Sequence, residues 1–243
     1  MKYEFIDKTL YFPEKGILVI GDLHLGYEHQ LIQSGVLTPK MQTQKIIDEL
    51  REIILKIKES KQKLNKIVFL GDIKHAFDFQ YEEKISFNDV LDFLEQYFKE
   101  ENIIFIKGNH DTIDFTLNGM KDYHIEDDIA FIHGDKCFAE ILPKEIDVIV
   151  MGHIHPSVVF HDTDTLKKEK YKCFLVGDFH CKRTIVVPSF SDISIGSPIN
   201  HYDTSYRDEF SILSKKDLMK FNVHVVGKDK VYKFKRVKDL LDA

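Results

Sequence analysis

The chain has 243 residues, of which 43% are hydrophobic and 30% charged, and its net charge is −6 at pH 7. That balance supplies a sizeable core for one large domain and excludes a globally basic nucleic-acid binder. Cys137, Cys173 and Cys181 form no CxxC pair, the opening Met1–Phe5 starts no signal-peptide core, and no apolar run reaches the roughly 18–20 residues of a membrane span. Reduced thiols, a cytoplasmic location and no membrane partner are therefore expected.

Residues 2–12 alternate weakly and break at Asp7-Lys8, which predicts a short hairpin. Residues 16–20 are the first core strand, and Gly26 to Ser34 predicts a short helix closed near Gly35. Thr38-Pro39 reads as an N-cap followed by proline at the first helical position. Ile46, Ile47, Leu50, Ile53, Ile54 and Ile57 then recur at helical spacing, so a helix over about 39–59 packs an isoleucine face on the sheet. Residues 67–70 are the second core strand. Phe87, Val90, Leu91, Leu94, Tyr97 and Phe98 mark an amphipathic helix ending near Glu101, and a strand at 103–106 follows. Strand–helix–strand–helix–strand is the order of a parallel sheet with right-handed crossovers.

After Asp111 the rhythm changes. Residues 123–125 and 129–132 flank Asp127-Asp128 as a hairpin. Strands are predicted at 146–151, 157–160, 171–176 and 184–188, with 177–182 as a hairpin tip, so the second half reads as largely antiparallel. A mixed β-sandwich with flanking helices fits better than one doubly wound sheet. The tail from about 200 holds strand candidates at 221–226 and 231–235 and is rich in lysine from Lys215 to Lys238. A solvated face is the simpler reading of that charge, a phosphate-backbone contact surface the alternative. The whole chain reads as a single domain over residues 1–243, with a motif core at 16–200 and a C-terminal extension at 201–243.

Five apolar strands each end in a polar cluster. Residues 17–20 run into Gly21-Asp22-Leu23-His24, 67–70 into Gly71-Asp72, and 103–106 through Lys107 into Gly108-Asn109-His110-Asp111. Residues 129–132 run into His133-Gly134-Asp135, and 148–151 into Gly152-His153-Ile154-His155. Open α/β sheets place their chemistry at such strand ends. A lone histidine after a strand is usually structural, and a lone Gly-Asp is usually a turn; five such clusters in one chain are not. The candidate ligands are Asp22, His24, Asp72, Asn109, His133, His153 and His155. This cysteine-free N/O set suits Mn, Fe, Co or Zn better than Ca and is richer in imidazole than a usual Mg site. It is too large for one open tetrahedral site and suffices for two metals sharing a carboxylate. Two divalent ions about 3.5–4 Å apart clamp the attacking and leaving oxygens of an in-line displacement at phosphorus, with a hydroxide between them as nucleophile. Mn²⁺ is the expected ion, with Fe, Co, Zn, Ni and Mg as alternatives. His110 is left over as a proton donor to the leaving oxygen, with Asp111 to orient it.

In this order and spacing, Asp-x-His, Gly-Asp, Gly-Asn-His-Asp, His-Gly-Asp and Gly-His-x-His resemble the calcineurin-like metallophosphoesterase superfamily, over residues 21–156. The resemblance implies an α/β fold, a four-layer α/β/β/α sandwich of two mixed β-sheets flanked by helices. It implies one metal on Asp22, His24, Asp72 and His155. A second falls on Asp72, Asn109, His133 and His153, with Asp72 bridging and His110 as leaving-group acid. Residues 22–28, 71–75, 152–156 and 187–190 are similar to archaeal phosphoesterases related to the SbcD nuclease and to ligase-associated bacterial phosphoesterases. Many superfamily members carry an acidic residue where this chain has Lys74-His75. Both are candidate contacts to a substrate phosphate, a rim position without a role being the alternative. Glu28 is a candidate substrate contact or a helix cap. Asp178 and His180, in a second Gly-Asp-Phe-His, are weaker candidates, as are Ser189 and Asn200 at the crevice border. Tyr27, Phe77 and Phe79 are candidates to stack on a base.

The expected activity is hydrolysis of phosphodiesters of nucleic acid or nucleotides, in a setting such as DNA repair. Phosphomonoester or nucleotide-pyrophosphate hydrolysis is the alternative, and a catalytically silent metal-bound scaffold the reading from another class. A homodimer is left open.

Overall fold

Alternation along the strands decides the layers. The computed structural model describes residues 1–116, 118–161, 167–200 and 210–241. A first sheet runs β1 (Glu4–Ile6), β2 (Thr9–Phe12), β3 (Ile17–Ile20), β4 (Lys66–Phe69) and β5 (Ile103–Phe105), the last three parallel. In β3 and β4, Leu18, Ile20, Ile67 and Phe69 face the helices, while Ile17, Val19 and Val68, with Leu70 just past β4, face the other sheet. Both faces are buried, as parallel strands require.

On the outer face lie α2 (Gln42–Glu59) and α3 (Tyr81–Leu94), following the short α1 (Tyr27–Gln33). All six residues of the expected isoleucine–leucine stripe on α2 are buried. Each such side chain taken from water contributes about 1.5–3 kcal/mol.

The second sheet contains β6 (Tyr123–Glu126), β7 (Ile129–Ile132), β8 (Val148–Met151), β9 (Pro156–His161), β10 (Lys168–Phe179), β11 (Lys182–Val186) and β12 (Ser197–Pro198). It is extended by β13 (Asn222–Val226) and β14 (Val231–Arg236). Ile129, Phe131, Val148, Val150, Phe174, Val176 and Ile185 meet the first sheet. Their alternates Ala130, Ile132, Ile149, Met151, Cys173, Leu175 and Val186 face an outer layer. Among the described residues, the four-residue α4 (Lys215–Leu218) and single turns at 139–141 and 237–240 cover it. The fold is thus a mixed α/β sandwich of two mixed sheets.

Several boundaries differ from expectation. Helix α2 begins at Gln42 rather than at 39, because Glu28 reaches over from α1 and accepts from the backbone N–H groups of Met41 and Gln42, both at 2.8 Å. This borrowed carboxylate does the work expected of Thr38. Helix α3 ends at Leu94, with Tyr97 and Phe98 in the turns beyond. The β10–β11 hairpin turns on His180-Cys181 alone, so Gly177, Asp178 and Phe179 lie in β10. The second half is not mainly antiparallel at its centre, where β7, β8 and β11 run parallel. Of the tail, β13 pairs with β10, and Val237 and Leu240 are buried. Among the described residues no helix is long and apolar enough to cross a membrane, and the three cysteines are unpaired.

Candidate metal centre

The parallel strands of both sheets end at one place. In the first sheet Ile20 is level with Phe69 and Phe69 with Phe105; in the second Ile132 is level with Met151 and Met151 with Val186. Just beyond these residues the backbone leaves the extended region. His24, Asp72, His153 and His155 adopt φ of 47°, 47°, 68° and 47°. Positive φ is uncommon in residues with a side chain and concentrates at functional sites. It turns Asp22 and His24 into one crevice, which strand alternation would forbid. Gly108 is needed for close approach: a Cβ there would lie 2.2 Å from Asp72 Oδ1.

One ligand-type group contains Asp22, His24, Asp72 and His155, with donor atoms within 4.8 Å of one another. His155 Nε2 lies 3.2 Å from both Asp22 Oδ1 and His24 Nε2, and His24 Nε2 lies 3.7 Å from Asp72 Oδ2. A second group contains Asp72, His133 and His153. Asn109 joins it through Oδ1, 3.0 Å from His133 Nε2. The two sets implied by the resemblance are therefore brought together, with Asp72 common to both.

Hydrogen bonding assigns the tautomers in the second group. His133 Nδ1 donates to Leu70 O at 2.8 Å and His153 Nε2 donates to Phe210 O. Their other nitrogens, left as lone pairs, face each other at 3.0 Å beside Asn109 Oδ1, with Asp72 Oδ1 at 3.5 Å from His133 Nε2. Lone pairs converging without a proton between them fit a cation. The charges are also poised for one. Burial and the neighbouring Asp22 push the Asp72 carboxyl up to about 6. Burial and the nearby His155 hold the His24 imidazole well below its usual range, toward the neutral form that binds metal.

His110 stands beside the shared carboxylate. Its backbone N–H donates to Asp72 Oδ1 at 2.9 Å, and its ring Nε2 is 4.0 Å from Asp72 Oδ2. Ring Nδ1 is 2.5 Å from His75 O, so Nδ1–H donates there and Nε2 faces the site. The orienting partner is therefore the His75 carbonyl and not Asp111. The buried Asp111 carboxylate instead accepts from the backbone N–H groups of Ile73 (3.0 Å), Lys74 (3.3 Å) and Gly108 (2.9 Å), tying the β4 and β5 loops together. Burial pushes it up to about 6.

Two candidate substrate contacts, Lys74 and Glu28, are corrected. Lys74 is buried and its amine donates to the carbonyls of Ala76 and Asp78, away from the crevice. The Glu28 carboxylate is engaged in capping α2. The His75 ring lies inside the site, its Nδ1 3.4 Å from His24 Nδ1. When His24 offers Nε2 to a metal it carries its proton on Nδ1, and His75 accepts it. His24, His75 and His110 also form a third ligand-type group.

Other expectations sort as follows. Asp178 and His180 lie at the far hairpin, where Asp178 pairs with Arg183 at 3.5 Å. Ser189 Oγ donates to Asp22 O at 3.1 Å and so borders the first cluster. Asn200 brackets Val159 and Leu240 and is structural. Of the expected extension at 201–243, residues 201–209 and 242–243 lie outside the described residues.

Sequence reading missed Gln42, Ser194 and Glu83. Gln42 Nε2 donates to His24 O at 2.8 Å and to Ser191 Oγ at 3.0 Å. A glutamine in register with the isoleucine stripe of α2 was the available signal. Ser194 Oγ lies 3.2 Å from His155 Nδ1. Glu83 Oε1 accepts from the backbone N–H groups of His75 (3.1 Å) and Ala76 (2.7 Å).

Residues 16–144 match the family model described as calcineurin-like phosphoesterase. No curated protein matches the sequence. The fold is similar to the crystal structure of Pseudomonas putida nuclease MPE, with TM-score 0.60, 17% identity, and coverage of 96% of this chain and 100% of that one. A conserved protein from Streptococcus pneumoniae described as a predicted phosphoesterase aligns at TM-score 0.36 and 14% identity, over 97% of this chain and 99% of that one. Vps29 from Entamoeba histolytica, complexed with zinc, aligns at 0.38 and 12%, over 90% and 96%. At these identities the first likeness is one of fold, and the other two are too distant to argue from.

Proposed function

We propose that this chain, which belongs to the calcineurin-like phosphoesterase family, hydrolyses phosphodiesters of nucleic acid or nucleotides. It is a metal-dependent phosphoesterase; the diester substrate is our reading. The observation that carries it is Asp72, set between imidazoles of both sheets with the His110 ring beside it. Two divalent ions held by these groups supply Lewis acidity and a nucleophile at neutral pH. The donor chemistry favours Mn²⁺.

The chain's own groups do the rest. Asp72 neutralises positive charge at both positions. His133 and His153 keep their lone pairs inward because their remote N–H groups are bonded to carbonyls. His110 Nε2 delivers a proton to the leaving oxygen while the His75 carbonyl holds Nδ1–H. A diester carries one negative charge and a monoester between about 1.5 and 2. Among the described residues no lysine or arginine forms an ion pair with Asp22 or Asp72; their partners are histidines. A site without such a cation favours the less charged diester. The finer kinship, with SbcD-related and ligase-associated phosphoesterases, rests on the stretches at 22–28, 71–75, 152–156 and 187–190.

The test is a Mn²⁺ panel: methyl p-nitrophenyl phosphate, p-nitrophenyl phosphate, single-stranded DNA, duplex DNA, RNA and cyclic nucleotides. Diester turnover above monoester turnover is expected. The reverse order would make the chain a monoesterase, and no turnover with any divalent ion would make it a scaffold.

A further inference from the structure

Four rings stand in a column at the edge of the metal centre. Tyr27 stacks on His75 (4.1 Å, 24° between planes), His75 on His110 (5.5 Å, 25°), and His110 on Phe77 (4.3 Å, 23°). Among the described residues the column ends at Phe77. His110 covers one face of that ring, yet the residue is 58% exposed, so its other face is open. Leaving an aromatic ring in water forgoes the favourable burial of its apolar face.

The segment that holds Phe77 out is fixed by many anchors. Asp111 takes the N–H groups of Ile73 and Lys74, and Glu83 those of His75 and Ala76. The Lys74 amine takes the carbonyl of Ala76, and Thr112 Oγ1 donates to the carbonyl of Phe77 itself. A ring presented by so anchored a backbone has little ordering entropy left to lose when something stacks on it. Phe79, although 51% exposed, packs edge-on against Phe115 at 6.0 Å and leaves the column.

We infer that the open face of Phe77 is the stacking platform for the nucleobase attached to the scissile phosphate, and that this base must be unpaired. The inference rests on the diester reading above. His110, one ring inward, has Nε2 4.0 Å from the shared carboxylate of Asp72. The platform therefore lies one ring outside the atom that protonates the leaving group, where a base next to the cleaved phosphate would fall. A base inside a duplex has both faces covered by its neighbours. A frayed, looped or single-stranded base offers a face, and every base has one, so the platform reads pairing state rather than base identity.

A base–aromatic stack is worth about 1–3 kcal/mol, or roughly 5–150-fold. The measurement is kcat/KM with Mn²⁺ on two short oligonucleotides, one with adenines flanking a single cleavable phosphate and one abasic at both positions. Wild type should prefer the adenine strand by that factor, and pairing the strand into a duplex should abolish the preference. Phe77→Leu keeps an apolar cover on His110 but has no π face; its preference should collapse toward unity, and Phe77→Trp should restore it. Equal losses on both strands in Phe77→Leu would make Phe77 only a cover for His110. A wild-type preference near unity, with both strands cleaved, would overturn the platform and leave the diesterase intact, even if Phe77→Leu failed to fold. Failure to cleave any diester would instead overturn the diesterase.

Discussion

Asp72 contacts histidines delivered by both sheets, lying 3.7 Å from His24 Nε2 and 3.5 Å from His133 Nε2. Asp72→Ala should therefore lose both ions and all activity, because a shared carboxylate weakens two sites when removed. Elemental analysis of the purified variant checks this, and two retained ions would refute it. In the proposed mechanism His110 is the leaving-group acid and belongs to neither of the two ligand groups that share Asp72. His110→Ala should keep both ions and lower kcat by about 10²–10⁴ on an alkoxide leaving group. The loss should be much smaller on a nitrophenolate, which departs as a stable anion. Equal losses on both would make His110 a phosphate clamp. The candidate ligands were legible because each lies within a few residues of the end of an apolar run, so two local signals coincide. Gln42 and Ser194 were not, because their roles depend on partners far along the chain: Gln42 meets Ser191 at a separation of 149. Lys74 misled because sequence shows a cation beside a ligand but not which way its amine turns.

The element with the least expected start is α2, capped by a carboxylate from α1. Glu28→Ala should cost about 0.5–2 kcal/mol in urea unfolding and leave KM within about twofold. A large rise in KM at unchanged stability would return Glu28 to the substrate. The sequence showed the stripe of α2 and the strand cores well, since alternation and helical spacing are local. Its start depended on a tertiary cap, and the parallel pairing of β7, β8 and β11 on long-range order. Strand β10 carries Lys172, whose amine donates to the carbonyls of Ser189 (2.6 Å) and Ser191. Burial, aided by the Lys8 charge, pulls its pKa down to about 7. The unfolded lysine keeps its proton up to about 10.5, so between these values the unfolded chain binds more protons and raising the pH stabilises the fold. Relative to Lys172→Met, wild type should gain on the order of a few kcal/mol from pH 7 to 10. Parallel stability–pH curves for the two proteins would contradict this.

The whole sandwich is cored by three apolar clusters that include none of the ligand residues. Chelation should therefore stop activity while the far-ultraviolet circular dichroism and a cooperative melt persist, unlike in zinc fingers. Restoring Mn²⁺ at a hundred times its Kd should add about 2.7 kcal/mol, seen as a higher Tm. Complete loss of the dichroism on chelation alone would show that the metals hold the fold. The ligands also come from distant parts of the chain. Asp22 lies 131 residues before His153, and its carbonyl is held by Ser189 from 167 residues away. A ribosome making this protein thus releases Asp22, His24, Asp72 and Asn109 long before the imidazoles that complete their coordination. Until β8 and the residues just after it emerge and dock, the growing chain holds only part of each donor group. A complete set of candidate donors therefore exists only once synthesis has passed His155, and a chain stalled earlier lacks it.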